Sequence, residues 1–281
     1  MNRETQVIEA NIKLHSRLSD DYNSCEPHFR KENIKKVRSK IESLINSTSE
    51  KKLLDLGCGT GFMIDICRDL FDEIHGVDVT QKMLDKVKID SASKIILHNQ
   101  DTGKFDLHRS SFDLVTGYSF LHHLFDVKPT IETAFKALKT GGVFYADLDP
   151  NFYFWDQIDQ LQRDGSYHSI VKREIEMVTY KDEDILNKFG VPCETFNDAE
   201  YGKNRLGGFK EEVITEILEK VGFSDINFFY HWFVGQGHLI NNEDFDGDIR
   251  FKHASVMEEY LLNALPLSKS LFKYVGFTAR K

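Results

Sequence analysis

The stretch Leu53-Leu54-Asp55-Leu56-Gly57-Cys58-Gly59-Thr60-Gly61-Phe62 constrains the fold more than any other in the chain. Its apolar start reads as a buried parallel strand, three alternating glycines turn the chain, and Phe62-Met63-Ile64-Asp65-Ile66-Cys67 opens a helix. Glycine admits backbone conformations closed to other residues, and bare peptide at a helix N-terminus lets a small ligand lie against it. Dinucleotide sites of this design use G-x-G-x-x-G, with the third glycine inside the helix. Here the third glycine, Gly61, comes one residue early and Phe62 fills the place it would have had.

Further strands follow in alternation with helices. His75-Gly76-Val77-Asp78-Val79 is a short strand, and Thr80 can cap a helix running through Met83, Leu84 and Val87. Asp78 stands about twenty residues beyond the first glycine, where an acid at a strand end accepts from both hydroxyls of a ribose. A third strand begins at Lys94 and ends at Asp101, beside Thr102, and a fourth, Phe112 to Tyr118, runs into Ser119-Phe120-Leu121-His122-His123-Leu124. A helix through Ile131, Ala134, Phe135 and Leu138 stops at Gly141-Gly142, and Val143 to Asp149 is strand five. The helix Phe209 to Val221 and the strands Ile226 to Val234 and Leu271 to Ala279 complete the series. Strands alternating with helices imply an α/β, doubly wound parallel sheet with its ligand at the carboxyl ends of the strands.

The pattern D-x-G-x-G-x-G at Asp55 to Gly61, F-D-x-V at Phe112 to Val115 and L-H-H-L at Leu121 to Leu124 resembles the class I S-adenosylmethionine (SAM)-dependent methyltransferases of small molecules, with their Rossmann-like fold. The likeness is close over about residues 50–150 and topological beyond. It implies a mostly parallel seven-stranded sheet whose last strand runs antiparallel between its two predecessors, with an N-terminal helical cap and lid insertions. The whole chain, 1–281, then forms one domain: a cap over 1–50, a SAM-binding core over 51–150, lids over 151–208 and 235–268, and segments 209–234 and 269–281 that complete the sheet. The resemblance places Asp55, Gly57, Gly59 and Gly61 around the methionine part of SAM. It places Asp78 on the ribose, Asp101 with Thr102 at the adenine, and Tyr118 with Ser119 near the methyl group; Val79 and Met83 are further cofactor-binding candidates. Tyr22, in the polar, turn-rich segment Ser19 to Phe29, is the aromatic residue expected over the cofactor.

Methyl transfer from a sulfonium is an in-line displacement that needs alignment and removal of a proton from the acceptor. His122 and His123 are the candidate bases, because histidine titrates near neutral pH and their loop faces the reacting methyl. Asp147, Asp149, Tyr153, His168, Tyr180 and His231 are further candidates from strand ends and lid. No metal is expected. Thr116-Gly117-Tyr118 stands where metal-dependent catechol methyltransferases place an acid. The acidic loop Asn242 to Ile249 begins like a calcium loop, but has His253 where that loop needs a bidentate glutamate.

Composition narrows the partners. A formal charge of −9 argues against a nucleic-acid binder, and the basic run from Arg30 to Lys40 reads as the solvated face of a helix. No run of eighteen apolar residues appears and the N-terminus is polar, so no membrane span is expected and a cytoplasmic location is the default. Cys25, Cys58, Cys67 and Cys193 form no C-x-x-C pair. The expected acceptor is a small organic molecule, such as a sugar, a polyketide or quinone-like ring, or an amine, methylated on oxygen or nitrogen. The alternatives are a non-catalytic SAM-binding or scaffold protein and a nucleotide-dependent oxidoreductase or epimerase; the early Gly61 and the lack of a Tyr-x-x-x-Lys pair count against the last. Neither the acceptor nor the oligomeric state is written in these motifs.

Overall fold

The structure, a computed structural model, describes residues 2–45, 50–106, 111–162, 164–244 and 246–281, so Phe245 of the acidic loop lies outside the described residues. Seven strands form one sheet: β1 Lys52–Leu56, β2 Glu73–Asp78, β3 Lys94–Asn99, β4 Phe112–Tyr118, β5 Leu138–Pro150, β6 Ser224–Phe233 and β7 Phe272–Arg280. Their spatial order is β3-β2-β1-β4-β5-β7-β6, and β7 alone runs against the rest. The N-terminal part is α1 Arg3–Leu18, α2 Tyr22–Cys25 and α3 Lys31–Leu44, and the core helices are α4 Phe62–Cys67, α5 Gln81–Leu84 and α6 Lys128–Ala137. After β5 come α7 Phe152–Asp159, α8 Ser169–Val178, α9 Asp182–Phe189 and α10 Cys193–Ala199, then α11 Glu211–Val221; between β6 and β7 lie α12 Gln236–Ile240 and α13 Gly247–Asn263. Among the described residues no helix is long and apolar enough to cross a membrane.

The strands are apolar on both faces because both faces are covered. Leu54, Leu56, Val115, Phe144 and Phe277 pack with Ile131 and Ala134 of α6 and Leu218 of α11. The alternate residues Leu53, Leu114, Val143 and Tyr145 pack with Val37 and Ile41 of α3 and Met63 and Ile64 of α4. Gly141 and Gly142 do not stop the preceding helix as the sequence suggests. That helix ends at Ala137, and the two glycines lie inside β5, where Leu138 pairs with Phe112 but Val143 already pairs with Leu114. The extra residues bulge out of the ladder, and Gly141 takes a positive φ of 81° that suits glycine.

The N-terminal helix is not packed on the sheet alone. Its buried stripe, Val7, Ala10, Asn11 and Leu14, meets the first insertion: Ala10 and Leu14 share a cluster with Ile185, Val191, Phe196 and Ala199. Arg3 ties the same pair of elements by donating to both oxygens of the buried Asp198, at 2.9 and 2.5 Å. Beyond α10 a single π-helical turn, Tyr201–Arg205, brings the peptide of Gly202 against the histidine loop, so that a Cβ there would lie 2.8 Å from Cα and 2.9 Å from the carbonyl oxygen of His122. Backbone cannot give way as a side-chain tip can. Gly202→Ala is therefore expected to lower stability by about 1–3 kcal/mol, the usual cost of overpacking, read as a shift in the urea midpoint.

Candidate functional site

The glycine turn is stitched to the neighbouring strand. Gly57 and Cys58 donate to the carbonyl of Val77 at 2.8 and 3.0 Å, and Gly59 donates to the Asp78 carboxylate at 3.0 Å. The other Asp78 oxygen accepts from the Thr80 N–H at 2.7 Å. A carboxylate has about four acceptor positions, so each oxygen keeps one for a further donor such as a ribose hydroxyl. Gly57, at φ 71°, is required for a second reason: a Cβ there would sit 2.0 Å from Cδ2 of Phe120, whose ring lies across the turn.

A cavity of about 290 Å³ opens over this turn. Asp55 of β1, Gly57 and Gly59 of the turn, Asp78 at the end of β2 with Val79 and Met83 after it, Asp101 and Thr102 beyond β3, and Tyr118 and Ser119 at the end of β4 all line it. So does Tyr22 from the N-terminal segment, edge-on to His28 and Phe29 with ring centroids 6.1 and 6.3 Å away. Gly61 is not among the lining residues. It begins α4 in the left-handed region at φ 93°, and a Cβ there would meet Val87 at 3.1 Å, so its task is turning and packing. Asp101 spends much of its capacity locally, accepting from the Gly103 N–H at 3.0 Å and pairing with Lys104 at 2.9 Å. Thr102 is buried and shares a hydrogen bond with Thr130 at 2.9 Å.

Asp55 is fully buried and points its second oxygen at nothing. Oδ1 accepts from the Thr116 hydroxyl at 2.7 Å, while Oδ2 has no hydrogen-bond partner. Burial pushes its carboxyl up to about 7, against the opposing hydrogen bond from Thr116. A buried acceptor without a donor is costly, and beside a cavity it marks where a ligand's donor belongs.

The two histidines part company. His122 is buried away from the cavity, its ring Nδ1 2.8 Å and its backbone N–H 3.0 Å from one oxygen of Asp149. Burial holds its pKa down at about 4 and that of Asp149 well above the carboxylate range, so one proton lies between the two and the pair carries no net charge. His123 does line the cavity, and its Nδ1 lies 2.7 Å from the carbonyl of Ala199 in the first insertion. A carbonyl can only accept, so Nδ1 carries the hydrogen and Nε2 keeps its lone pair. Burial keeps this ring neutral, well below the usual histidine range.

Residues that the motifs do not single out complete this corner. His15 of α1 lines the cavity and meets His123 edge-on at 4.8 Å, and Asn11, one turn earlier, donates to the His123 carbonyl at 2.9 Å. Glu200 stands 3.9 Å from a ring nitrogen of each histidine and 2.9 Å from the half-buried Lys203. His122, His123 and Glu200 offer atoms within 4.8 Å of one another, a spacing that could hold a cation, but Lys203 already neutralises the carboxylate. Polar Asn11 and His15 on the apolar stripe of α1 were the available signal. Of the further candidates, Asp147 pairs with His231 at 3.3 Å, Tyr153 donates to Glu212 and Tyr180 stacks edge-on to Phe189 and Phe196; exposed His168 caps α8. None of these lines the cavity.

Comparison with known proteins bears on the same segment. Residues 54–144 match the family described as methyltransferase domain. The chain is 29% identical over 128 residues to the ubiquinone biosynthesis O-methyltransferase of Idiomarina loihiensis, covering 41% of this chain and 49% of that protein. It is 27% identical over 157 residues to the protein of the same name from Saccharophagus degradans, 53% of this chain and 66% of that one. The chain thus spans about half the length of the first curated relatives it matches. Among solved structures, a phosphoethanolamine N-methyltransferase 2 of Haemonchus contortus superposes with a TM-score of 0.58 at 15% identity, over all of this chain and 60% of that one. A 4+2 cyclase does so at 0.56 and 15%, over 96% and 95% of the two chains. At such identities the likeness shows the fold.

The raised Asp55 pKa sets a pH dependence. The folded ligand-free protein holds that proton where the unfolded chain, with an ordinary carboxyl near 4, has lost it, so the stability it lends is present at acid pH and is lost as pH rises toward about 7. Asp55→Asn, which keeps the acceptor for Thr116, is expected to gain in melting temperature over the parent protein progressively from about pH 4 to 7 and to level off above. A constant difference across that range would contradict the assignment. With its D-x-G-x-G-x-G turn and its sheet order, the chain has the fold of the class I SAM-dependent methyltransferases, and its residues 54–144 match the methyltransferase-domain family.

Proposed function

We propose that the protein transfers a methyl group from SAM to a small organic acceptor, with oxygen the favoured receiving atom. The observation that carries this reading is the unpartnered Oδ2 of Asp55 at the floor of a cavity that also exposes the Asp78 carboxylate and bare glycine peptide. SAM has donors to match: an ammonium for Asp55 and two ribose hydroxyls for Asp78, while Tyr22, Met83 and Tyr118 supply apolar and aromatic walls. When bound, SAM supplies the electrophilic methyl. The chain's own contribution is to hold the donor, to exclude water by means of the N-terminal segment and to take up a proton.

For the proton, His123 is the better placed of the two histidines. Its Nδ1–H is fixed on the Ala199 carbonyl, and its neutral ring leaves Nε2 able to accept over the physiological range. His122, held against Asp149, acts by anchoring the loop. The preference for oxygen rests on the curated relatives, which are named O-methyltransferases. The cyclase among the structural neighbours shows that this fold also hosts other chemistry, so turnover has to be tested directly.

Calorimetry is expected to show SAM binding and no NAD binding, and Asp78→Ala is expected to weaken SAM by one to two orders of magnitude. NAD binding in place of SAM would refute the reading. Labelled SAM mixed with extract from the native source should yield a labelled small molecule; tight SAM binding with no label transferred would instead favour a non-catalytic role. His123→Gln is expected to reduce kcat by about 10²–10⁴-fold while leaving SAM affinity near that of the parent. Because burial holds His123 low, the rate should show no break near pH 6.5.

A further inference from the structure

A second cavity of about 520 Å³ lies on the other side of Tyr118 from the glycine turn. It is enclosed by α3, by α8 of the first insertion, by α12 and α13 of the second, and by Trp232 and Lys273 where β6 ends and β7 begins. Among the described residues the first cavity takes no side chain from either insertion, whereas this one takes side chains from both. The partition between them is thin. Asn33 lines the second cavity and donates to the Tyr118 hydroxyl, which lines the first, at 2.9 Å.

Its charges do not cancel. Lys36 is taken up by Glu258 at 2.9 Å, and Lys273 pairs with the buried Glu174. Among the described residues Arg30 and Arg173 have no ion pair, against one similarly unpaired and exposed carboxylate, Glu32. The Arg173 side chain lies across the peptide of Gly237, whose added Cβ would be 3.4 Å from its Nε. The uncharged lining has an apolar part, Met177, Ile240, Phe251, Ala254 and Trp232, beside the polar Asn33, Gln236, Asn241 and Ser255. Trp232 holds a left-handed backbone at φ 56°, rare for a bulky residue, and its ring stands edge-on to Tyr274 at 5.2 Å. Strain of this kind persists only where surrounding structure imposes it, and here it sets an indole at a cavity wall.

We propose that this second cavity is the acceptor chamber, and that it selects an acceptor with an apolar, ring-sized body and an oxyanion. Arg30 and Arg173 hold the oxyanion, Trp232 and Met177 hold the ring, and the reactive end reaches past the Asn33–Tyr118 hydrogen bond into the first cavity, where the SAM methyl and His123 stand. Guanidinium suits this task because its planar fork matches a carboxylate or a phosphate in pairs of charge-assisted hydrogen bonds. On a chain of net charge −9, two unpaired arginines in one cavity are a local exception that attracts an anion from a repelling surface. The proposal rests on the methyltransferase reading for the word acceptor, but binding itself can be measured apart from it.

The test uses the full chain with three probes: 4-hydroxybenzoate, 4-hydroxyphenyl phosphate and the neutral 4-hydroxybenzamide, titrated by tryptophan fluorescence and calorimetry. At least one of the anions is expected to bind ten-fold or more tightly than the amide, and the better of the two identifies carboxylate or phosphate. The double variant Arg30→Gln with Arg173→Gln should bring the preferred anion to the level of the amide, with SAM affinity and melting temperature unchanged. Ser255→Trp, which fills the chamber from an exposed position on α13, should block all three probes and spare SAM. Equal binding of anion and amide, or discrimination that survives the double variant, would overturn the proposal. Failure of SAM to bind while charge discrimination persists would instead remove the methyltransferase reading and leave the anion chamber standing.

Discussion

The hydrogen bond from the Gly59 N–H to the Asp78 carboxylate is the contact on which the site depends. It joins the turn after β1 to the end of β2, and with Val77 accepting from Gly57 and Cys58 it makes the two strand ends one rigid edge. The turn can come that close only because Gly57 and Gly59 have positive φ and no side chain, and the space left over Gly57 is filled by Phe120 from the end of β4. Three strand ends are thereby fixed relative to one another before any ligand arrives, the preorganisation that lets binding energy serve positioning.

Around this edge the molecule collects buried polar groups whose pairing is incomplete by design of the fold. Asp55 has one oxygen without a donor, Asp78 keeps acceptor capacity, and His123 keeps a lone pair. In a sealed core such groups would be replaced or satisfied. Here each faces the cavity, while their neighbours that face away, Asp149 on His122 and Glu200 on Lys203, are paired. The contrast between half-satisfied groups on the wall and satisfied groups behind it separates ligand contacts from scaffolding.

The N-terminal helix and the first insertion act as one cover. They share an apolar cluster and the ion pairs of Asp198 with Arg3 and Arg205, and the insertion reaches the histidine loop through the Ala199 carbonyl and Gly202. Neither insertion lines that cavity with a side chain among the described residues, and both line the neighbouring one. Under the proposal, donor and acceptor body occupy neighbouring cavities that meet at the Asn33–Tyr118 hydrogen bond.

The sequence alone was enough for the succession of strands and helices, the glycine turn and the acids at the strand ends, because those depend on local chemistry: glycine where φ must be positive, apolar runs where both faces are covered, a carboxylate at or just beyond the end of a strand. The seven-stranded sheet with its antiparallel last strand was implied by the family resemblance, and the structure has it. Tertiary structure decided the rest. Gly61 looks like its two neighbours in the motif, yet only packing against Val87 shows that it serves the helix and not the cavity. His122 and His123 are adjacent and chemically identical, and what separates them is Asp149 behind one and Ala199 behind the other, 27 and 76 residues away. Asn11, His15 and Glu200 carry no motif because their roles arise from contacts between distant segments, which no local pattern encodes.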